Sequence, residues 1–268
     1  MSLSVAIATH NEEKNIERCL KAVYNWVDEI VVVDGASTDK TVDVIKKLDT
    51  DNKVKVHVTD NPPMFHKNKQ KALDRCTKDW ILQLDVDEVV TEELKNEILN
   101  SASRRIQDDK EETIAYWIPR LNYFLGRPLH KGGQYPDYTI RFYKNGVAKF
   151  PCESVHEQVK INGEIGYLKS DLLHYPYETF DAYIQNGLIR YSILEADIMQ
   201  KDGVKPSVIN FLKYFIILPK WWFLKTYFRH KGFMDGFPGF IFSLFSALRY
   251  WFAYILLYEK LRKKKVLK

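Results

Sequence analysis

Short, unbroken apolar runs alternate with segments of helical periodicity through the first third of the chain. The run at residues 30–33, IVVV, is apolar at every position, which is typical of a strand buried on both faces of a parallel sheet. Between such runs, apolar residues recur at helical spacing, as at Ile16, Leu20 and Val23. The predicted strands are residues 4–8, 29–33, 54–58 and 80–84. The predicted helices are residues 11–27, capped by Asn11, and residues 40–48, 67–76 and 91–101.

This order of elements predicts an α/β fold. Strands that alternate with helices form a parallel sheet, because each crossover helix packs back onto the sheet. In the later part of the chain, strands and helices no longer alternate regularly. The predicted strands there are residues 115–119, 139–143, 153–159 and 167–174, and a helical stretch lies near residues 180–200. We therefore expect a mixed sheet whose central strands are parallel and whose two faces carry helices. The 268 residues suit one catalytic domain, residues 1–204, and a helical appendage, residues 205–268.

Polar side chains follow the predicted parallel strands. Sheets of this kind bind their ligands beyond the carboxyl ends of the strands, so we expect a site there. The sequence contains neither of the glycine-rich phosphate loops, GxGxxG after the first strand or GxxxxGK[ST], so a bound diphosphate would need a metal ion instead. The strand-end residues are Thr9, Asn11 and Glu12 after the first strand, Asp34 after the second, and Asp85 and Asp87 after the fourth.

The strongest metal-binding pattern is Asp85-Val86-Asp87. Alternate residues of an extended chain point the same way, so the two carboxylates can face one ion. Mg²⁺ and Mn²⁺ prefer such oxygen ligands and keep positions open for phosphate oxygens. The structural alternative is a solvated acidic turn before the next helix. The position directly after an apolar strand favours the metal site.

Three stretches carry a resemblance to the family 2 glycosyltransferases of the GT-A fold: SVAIATHNEEKNIERCL, VVVDGASTDKT and ALDRCTKDWILQLDVDE. They cover about residues 2–90, in order. Three later stretches resemble the lipopolysaccharide-core β-glucosyltransferase branch of this family: WIPRLNYFLGR, GGQYPDYTIRFYKNG and SVHEQV. The resemblance implies a GT-A fold and transfer of a hexose from a nucleotide sugar, with UDP as the nucleotide.

The same resemblance implies roles for residues that bind the donor and the metal. Carboxylates suit the nucleoside, because they accept hydrogen bonds from ribose hydroxyls or a uracil N–H. The implied contacts to base and ribose are Thr9, Asn11, Glu12 and Asp34; those to the donor diphosphate are Lys67 and Arg141. The implied metal ligands are Asp85, which would also meet the donor, Asp87 and His174.

The family inverts the anomeric carbon, so one carboxylate must remove the proton of the acceptor hydroxyl. Relatives place this base in a Glu-Asp pair, and this chain has no such pair after the strand that follows Asp87. We assign the base to Glu157, with His156 beside it as an orienting group. Asp137, just before the strand at 139–143, is the alternative base, and Glu153 comes third.

The last quarter of the chain differs in composition. Residues 208–228 and 237–258 are rich in aromatic and aliphatic side chains interrupted by lysine and arginine, and six basic residues lie within residues 260–268. An amphipathic pair of helices in the headgroup region of an anionic membrane explains this pattern. The alternatives are a buried aromatic subdomain or a dimer interface, which would make the protein a homo-oligomer.

The acceptor and the location follow from these features. A transferase held at a membrane acts most economically on a lipid-linked or lipopolysaccharide-core acceptor. The scattered cysteines and the lack of a signal peptide predict the cytoplasmic face of the inner membrane. A net charge of +5 is too small to indicate nucleic acid. The alternatives to a transferase are a metal-dependent nucleotidyltransferase and a catalytically inactive membrane-bound scaffold.

Overall fold

The computed structural model describes residues 2–103, 113–152 and 158–266. Strands and helices in these ranges are numbered in chain order. The strands are β1 (Leu3–Thr9), β2 (Glu29–Asp34), β3 (Val54–Val58), β4 (Trp80–Leu84), β5 (Glu88–Val90), β6 (Ala115–Phe124), β7 (Arg127–Pro128), β8 (Asp137–Lys144), β9 (Ala148–Lys149), β10 (Lys160–Ile161), β11 (Ile165–Tyr167) and β12 (Leu172–Tyr177). The helices are α1 (Ile16–Val23), α2 (Thr41–Leu48), α3 (His66–Leu73), α4 (Glu92–Ser103), α5 (Phe180–Ala182), α6 (Arg190–Lys201), α7 (Val208–Leu212), α8 (Leu218–Phe223) and α9 (Gly236–Val266). Shorter π-helical segments lie at Tyr183–Ile189, Lys213–Ile217 and Leu224–Arg229, and a 3₁₀ turn lies at Gly232–Asp235.

The main sheet has the strand order β3-β2-β1-β4-β8-β6-β12-β5. Strands β3, β2, β1 and β4 are parallel to one another, whereas β8 runs antiparallel to both β4 and β6. This confirms the mixed sheet with parallel central strands. The chain order reverses between β1 and β4, which is the position where open α/β sheets bind ligands.

Burial explains why the apolar runs became the central strands. Every residue of β2 and of β4 is buried, and all but one of β1 are buried too. One face of these strands packs in a cluster with α1, through residues such as Ile16 and Leu20. The other face packs with α3, through residues such as Ala72 and Leu73. Strand β3 lies at the edge and is half exposed, which matches its alternating sequence.

The first helix begins later than predicted. Asn11 does not cap it: the backbone of Asn11 has φ 55°, and the helix begins at Ile16. The side chain of Asn11 instead accepts a hydrogen bond from the backbone N–H of Thr38, at 2.8 Å. This contact ties the loop after β1 to the loop after β2. The predicted apolar face is confirmed, since Ile16, Leu20 and Val23 are fully buried.

The strand predicted at residues 167–174 is two strands. Strand β11 ends at Tyr167 and pairs with β6, whereas β12 begins at Leu172 and pairs with β5. Between them, the carboxylate of Glu97 accepts hydrogen bonds from the backbone N–H groups of Lys169 and Ser170, which removes these groups from strand pairing. The predicted strand at 153–159 falls largely on residues 153–157, which lie outside the described residues.

Contacts divide the chain into two compact units. The first comprises the chain up to Arg120 together with Asp137–His174, and the second comprises Leu121–Pro136 with Tyr175–Lys268. Within the second unit, α9 packs against α6 through a face that includes Ala253 and Leu257. Residues 232–263 around α9 are long and apolar enough to cross a membrane by length and composition. The predicted boundary after residue 204 separates a catalytic domain from a membrane-associated region. It stays a prediction, because the contacts that define the two units do not show which residues meet a membrane.

Candidate active site

The parallel register brings the strand-end residues to one edge of the sheet. Thr9 pairs with Asp34 across β1 and β2, and Ile7 pairs with Leu84 across β1 and β4. Asp85 follows β4 directly, so it lies beyond the point where the chain order reverses. The sheet therefore assembles Thr9, Asp34 and Asp85 from three different strands.

The loops after β1 and β2 are fixed to each other by side chains. The carboxylate of Asp34 accepts hydrogen bonds from the backbone N–H and the hydroxyl of Ser37, at 2.9 and 2.5 Å. Ser37 Oγ also accepts from the backbone N–H of Asn11, at 2.8 Å. The hydroxyl of Thr9 is buried and has no hydrogen-bond partner among the residues the structure describes. It is a polar atom at this edge whose hydrogen-bonding capacity those residues leave unused.

Glu12 lies close enough to Asp85 and Asp87 for their negative charges to affect its pKa. Burial raises the pKa of Glu12, a hydrogen bond from Asn15 partly offsets that, and the charges of Asp87, Asp39 and Asp85 raise it further. These acids concentrate negative charge at this edge of the sheet. Cations offset part of this charge, since Lys69 and Arg141 contact Asp85.

Asp85 is held by two cations. Its Oδ1 atom lies 2.5 Å from Lys69 Nζ, and its Oδ2 atom accepts a hydrogen bond from Arg141. Burial by itself would raise the pKa of Asp85, but Arg141 and Lys69 hold it well below its usual range. Asp85 is therefore a carboxylate at neutral pH, with both oxygens facing positive charge.

Glu88 organises the arginines around Asp85, and the sequence analysis did not single it out. Its side chain is fully buried. One carboxylate oxygen accepts from Arg141 at 2.7 Å and from Arg120 at 3.4 Å, and the other accepts from the backbone N–H of Asp85 at 2.9 Å. An acid directly after the Asp-Val-Asp sequence, at the start of an apolar strand, was the available signal.

Asp87 faces a histidine rather than the arginines. The Nε2 atom of His174 lies 3.3 Å from Oδ2 of Asp87. Burial would raise the pKa of Asp87, but the hydrogen bond and the charge of His174 lower it. His174 reaches this position because β12 pairs with β5, which sets His174 opposite Glu88.

These contacts test whether the predicted ligands fit a divalent cation. Among the described residues, no group of three or more His, Cys, Asp and Glu side chains is arranged to hold a metal. The carboxylate of Asp87 and the imidazole of His174 fit as two protein ligands, since both chemistries bind Mn²⁺ and the two atoms already adjoin. Asp85 fits less directly, because Lys69 and Arg141 occupy its oxygens.

Other predicted residues are distributed as follows. Lys67 is exposed near the start of α3, whereas Lys69, two residues later, is the buried lysine that reaches Asp85. Helical spacing from Lys69 to Ala72 and Cys76 marks it as inward-facing, a signal that the sequence analysis passed over. Asp137 Oδ2 accepts two hydrogen bonds from Arg120, at 2.6 and 3.0 Å. Glu157, His156 and Glu153 lie outside the described residues.

Comparison with known proteins defines the class of fold. The structure superimposes on residues 1–349 of TarS of S. aureus in complex with UDP, with a TM-score of 0.50 and 16% sequence identity. The match covers 87% of this chain and 74% of that one. This likeness shows the fold, and the chain has the GT-A fold that the motifs implied.

Sequence comparison defines the family. The Glycosyl transferase family 2 model matches residues 4–119. An uncharacterized glycosyltransferase of Rickettsia typhi is 31% identical over 97% of this chain and 87% of its own length. The lipopolysaccharide core biosynthesis glycosyltransferase LpsC of Rhizobium meliloti is 26% identical over 92% of this chain and 88% of its own. The chain belongs to the family 2 glycosyltransferases, which sets the nucleotidyltransferase alternative aside.

Proposed function

We propose that this glycosyltransferase moves a hexose from a UDP-sugar to a membrane-associated, lipid-linked glycan, with inversion at the anomeric carbon and with a divalent cation, Mg²⁺ or Mn²⁺. The observation that carries the proposal is that Asp85, which contacts the buried cations Lys69 and Arg141, lies beyond the end of β4 together with the Asp87–His174 pair. A nucleotide diphosphate needs this combination of metal ligands and positive charge, because the chain has no glycine-rich phosphate loop.

The donor site is assigned to the strand ends. Thr9, Asn11, Glu12 and Asp34 would contact the base and ribose, and the buried hydroxyl of Thr9 supports this. TarS, which shares the fold, is described in complex with UDP, and this supports UDP as the nucleotide here. The cations that would neutralise the donor diphosphate are Lys67, Lys69 and Arg141.

The metal site is assigned to Asp87 and His174, with Asp85 beside them. When bound, the divalent cation would neutralise charge on the departing nucleoside diphosphate. For Asp85 to contribute an oxygen, Lys69 or Arg141 would have to turn towards the diphosphate. That exchange would keep the charge of the site balanced, because the cation that turned would face phosphate while the metal ion faced Asp85.

The base is assigned to Glu157, with His156 orienting it, and Asp137 is the alternative. The base removes the proton of the acceptor hydroxyl as the hydroxyl oxygen attacks the anomeric carbon. Asp137 is held by Arg120 in the structure. If Asp137 were the base, the guanidinium of Arg120 would orient the Asp137 carboxylate. Arg120 would then remain beside the carboxyl group after Asp137 had accepted the proton.

The acceptor and the location belong to the same proposal. LpsC acts in lipopolysaccharide core biosynthesis, and this supports a lipopolysaccharide-core or other lipid-linked acceptor. The long apolar helix α9 supports membrane association. We infer a protein held on the cytoplasmic face of the inner membrane, with no role for nucleic acid.

Nucleoside diphosphate release tests the proposal. The full chain would be incubated with a panel of UDP-, GDP- and ADP-sugars, with Mn²⁺, with Mg²⁺ or with EDTA, and the released nucleotide would be measured. We expect release from a UDP-hexose that depends on the cation. No release from any donor by a folded protein would favour the inactive scaffold, and equal release in EDTA would remove the metal from the proposal.

A further inference from the structure

Residues 208–229, here called the basic aromatic segment, expose most of their apolar side chains. The segment is helical throughout and lies within the second unit. Its buried stripe is narrow and consists of Tyr214, Pro219 and Thr226. Large apolar side chains exposed in this number on one segment indicate an interaction site. The apolar side chains that are more than half exposed are Val208, Ile209, Ile216, Ile217, Trp221 and Phe228.

All formal charges in and around the segment are positive. Between Asp202 and Asp235 the sequence has no acidic residue. Lys213 Nζ lies 5.1 Å from the ring of Tyr214, and Lys225 Nζ lies 5.0 Å from the ring of Trp221. Lysines whose stems lie along aromatic rings, beside exposed aliphatic residues, are typical of helices that lie in a headgroup region.

A bilayer explains this surface better than a second copy of the chain does. A two-fold contact would set this positively charged segment of one copy against the same segment of the other, and like charges across an interface are unfavourable. Anionic headgroups supply the opposite charge, and the acyl region beneath them accepts the aliphatic side chains. The positive charge and the exposed apolar side chains therefore both favour an anionic bilayer as the partner of this surface.

Helix α9 is longer and more apolar, and one of its faces packs within the second unit, whereas side chains such as Phe237, Ile255 and Tyr258 are exposed. Its Ala253 and Leu257 are fully buried in a cluster with Ala196 and Met199 of α6. Lys260 of α9 forms an ion pair with Asp197 of α6, at 2.6 Å. An α9 that crossed a bilayer would carry α6 and its acidic side chains into hydrocarbon, where charged groups are strongly disfavoured.

We propose that the basic aromatic segment lies in the plane of the headgroup region of an anionic bilayer, and that α9 supports it without crossing the membrane. The inference rests on the membrane association in the proposed function and names the element that makes the contact. It also gives the attachment two components. The lysine contribution is screened by salt, whereas insertion of the aliphatic side chains is not.

Sedimentation of the full chain with lipid vesicles tests the charge component. We expect binding to phosphatidylcholine vesicles that contain phosphatidylglycerol, and much weaker binding to phosphatidylcholine alone. The double variant Lys213→Glu/Lys220→Glu should bind at least about tenfold more weakly. Lys46→Glu/Lys47→Glu, on exposed positions of α2, makes the same change of net charge and should bind as the wild type does. Equal loss in both double variants would overturn the assignment to this segment.

Two further measurements test the insertion and the geometry. Ile209→Asp/Ile216→Asp should lose the binding that remains at high salt, whereas Val58→Asp, at an exposed position of β3, should keep it. Quenching of Trp221 by brominated lipids, read as the difference from Trp221→Phe, should be strongest for bromines near the headgroup. Strongest quenching at mid-chain would mean insertion deeper than the headgroup region and would overturn the in-plane geometry.

The outcomes separate this inference from the proposed function. Donor turnover without vesicle binding would overturn the membrane contact and leave the transferase intact. Vesicle binding without turnover of any donor would support the membrane contact and overturn the proposed transferase function. The protein could instead form concentration-dependent dimers and fail to bind vesicles. If Ile209→Asp/Ile216→Asp abolished those dimers, the surface would be assigned to a second copy of the chain.

Discussion

The ammonium group of Lys69 lies 2.5 Å from Oδ1 of Asp85, and the lysine side chain is almost fully buried. Asp85 also faces Arg141, so the first carboxylate of the Asp-Val-Asp sequence is surrounded by positive charge. The second carboxylate, Asp87, faces His174. The two neighbouring acids therefore have different partners, and their substitutions should have different consequences.

Replacing Lys69 should destabilise the protein. Lys69→Met leaves Asp85 with one fewer counter-charge in a buried setting, so we expect the free energy of unfolding to fall by about 3 kcal/mol. Lys67→Met, at an exposed position of the same helix, should change it by less than about 0.5 kcal/mol. Urea denaturation of the two variants measures both values. Equal stability of the two proteins would show that the Lys69–Asp85 contact contributes little.

The same pair of variants separates the two lysines as donor ligands. If Lys67 faces the diphosphate, Lys67→Met should weaken UDP binding without loss of stability. Calorimetric titration with UDP and Mn²⁺ measures this. Unchanged affinity in Lys67→Met, together with weaker binding in Lys69→Met, would transfer the diphosphate contact to Lys69.

Removing the carboxylate of Asp87 should abolish donor binding that depends on metal. Asp87→Ala takes away one of the two side chains that fit a cation together, and we expect UDP affinity in Mn²⁺ to fall to its value in EDTA. Asp43→Ala, on the exposed face of α2, is the matched control and should bind as the wild type does. Metal-dependent binding that survives in Asp87→Ala would refute the ligand assignment.

The two candidate bases predict different kinetic results. Glu157→Gln should keep donor affinity and lower kcat by at least about 100-fold, since general base catalysis contributes 10²–10⁴-fold. Asp137→Asn should have a smaller effect on kcat if Asp137 is not the base. Transfer to an acceptor, rather than donor hydrolysis, is the rate to measure. A fully active Glu157→Gln enzyme would move the role to Asp137.

Glu29 should stabilise the fold far from the site. Its carboxylate is buried at the start of β2, with Lys55 Nζ at 2.5 Å and Ser4 Oγ at 2.6 Å. Glu29→Gln removes the charge that accepts these bonds while Lys55 stays half exposed, so we expect the free energy of unfolding to fall by about 2 kcal/mol at pH 7. Glu17→Gln, which breaks an exposed pair with Lys21 at 2.6 Å, should leave the free energy of unfolding almost unchanged.

The pH dependence of the Glu29 contribution has a definite sign. Burial would raise its pKa, but Lys55, Ser4 and Thr77 lower the pKa of Glu29 to about 2. Because the folded pKa lies below the unfolded value of about 4.3, the stabilisation is complete above that pH and is lost as pH falls towards 2. The difference between wild type and Glu29→Gln in urea denaturation should therefore shrink below about pH 4. A constant difference down to pH 3 would contradict this account.

Local sequence was sufficient for the parallel half of the sheet. Strands β3 and β4 begin and end where predicted, because β4 is an apolar run buried on both faces and β3 has the alternating pattern of an edge strand. The positions of Asp34, Asp85 and Asp87 at strand ends followed from the same pattern. The first helix was placed too early, because a contact of Asn11 with a loop 27 residues away determines the backbone there.

The sequence by itself determined the family, the GT-A fold and the strand-end positions of Asp34, Asp85 and Asp87, since these depend on short motifs and on the periodicity of neighbouring residues. Only the tertiary structure decided how those acids are partnered. Arg141 reaches Asp85 from 56 residues away because β8 lies beside β4, and His174 reaches Asp87 because β12 pairs with β5. The register between distant strands fixes these pairs, and no local pattern encodes that register.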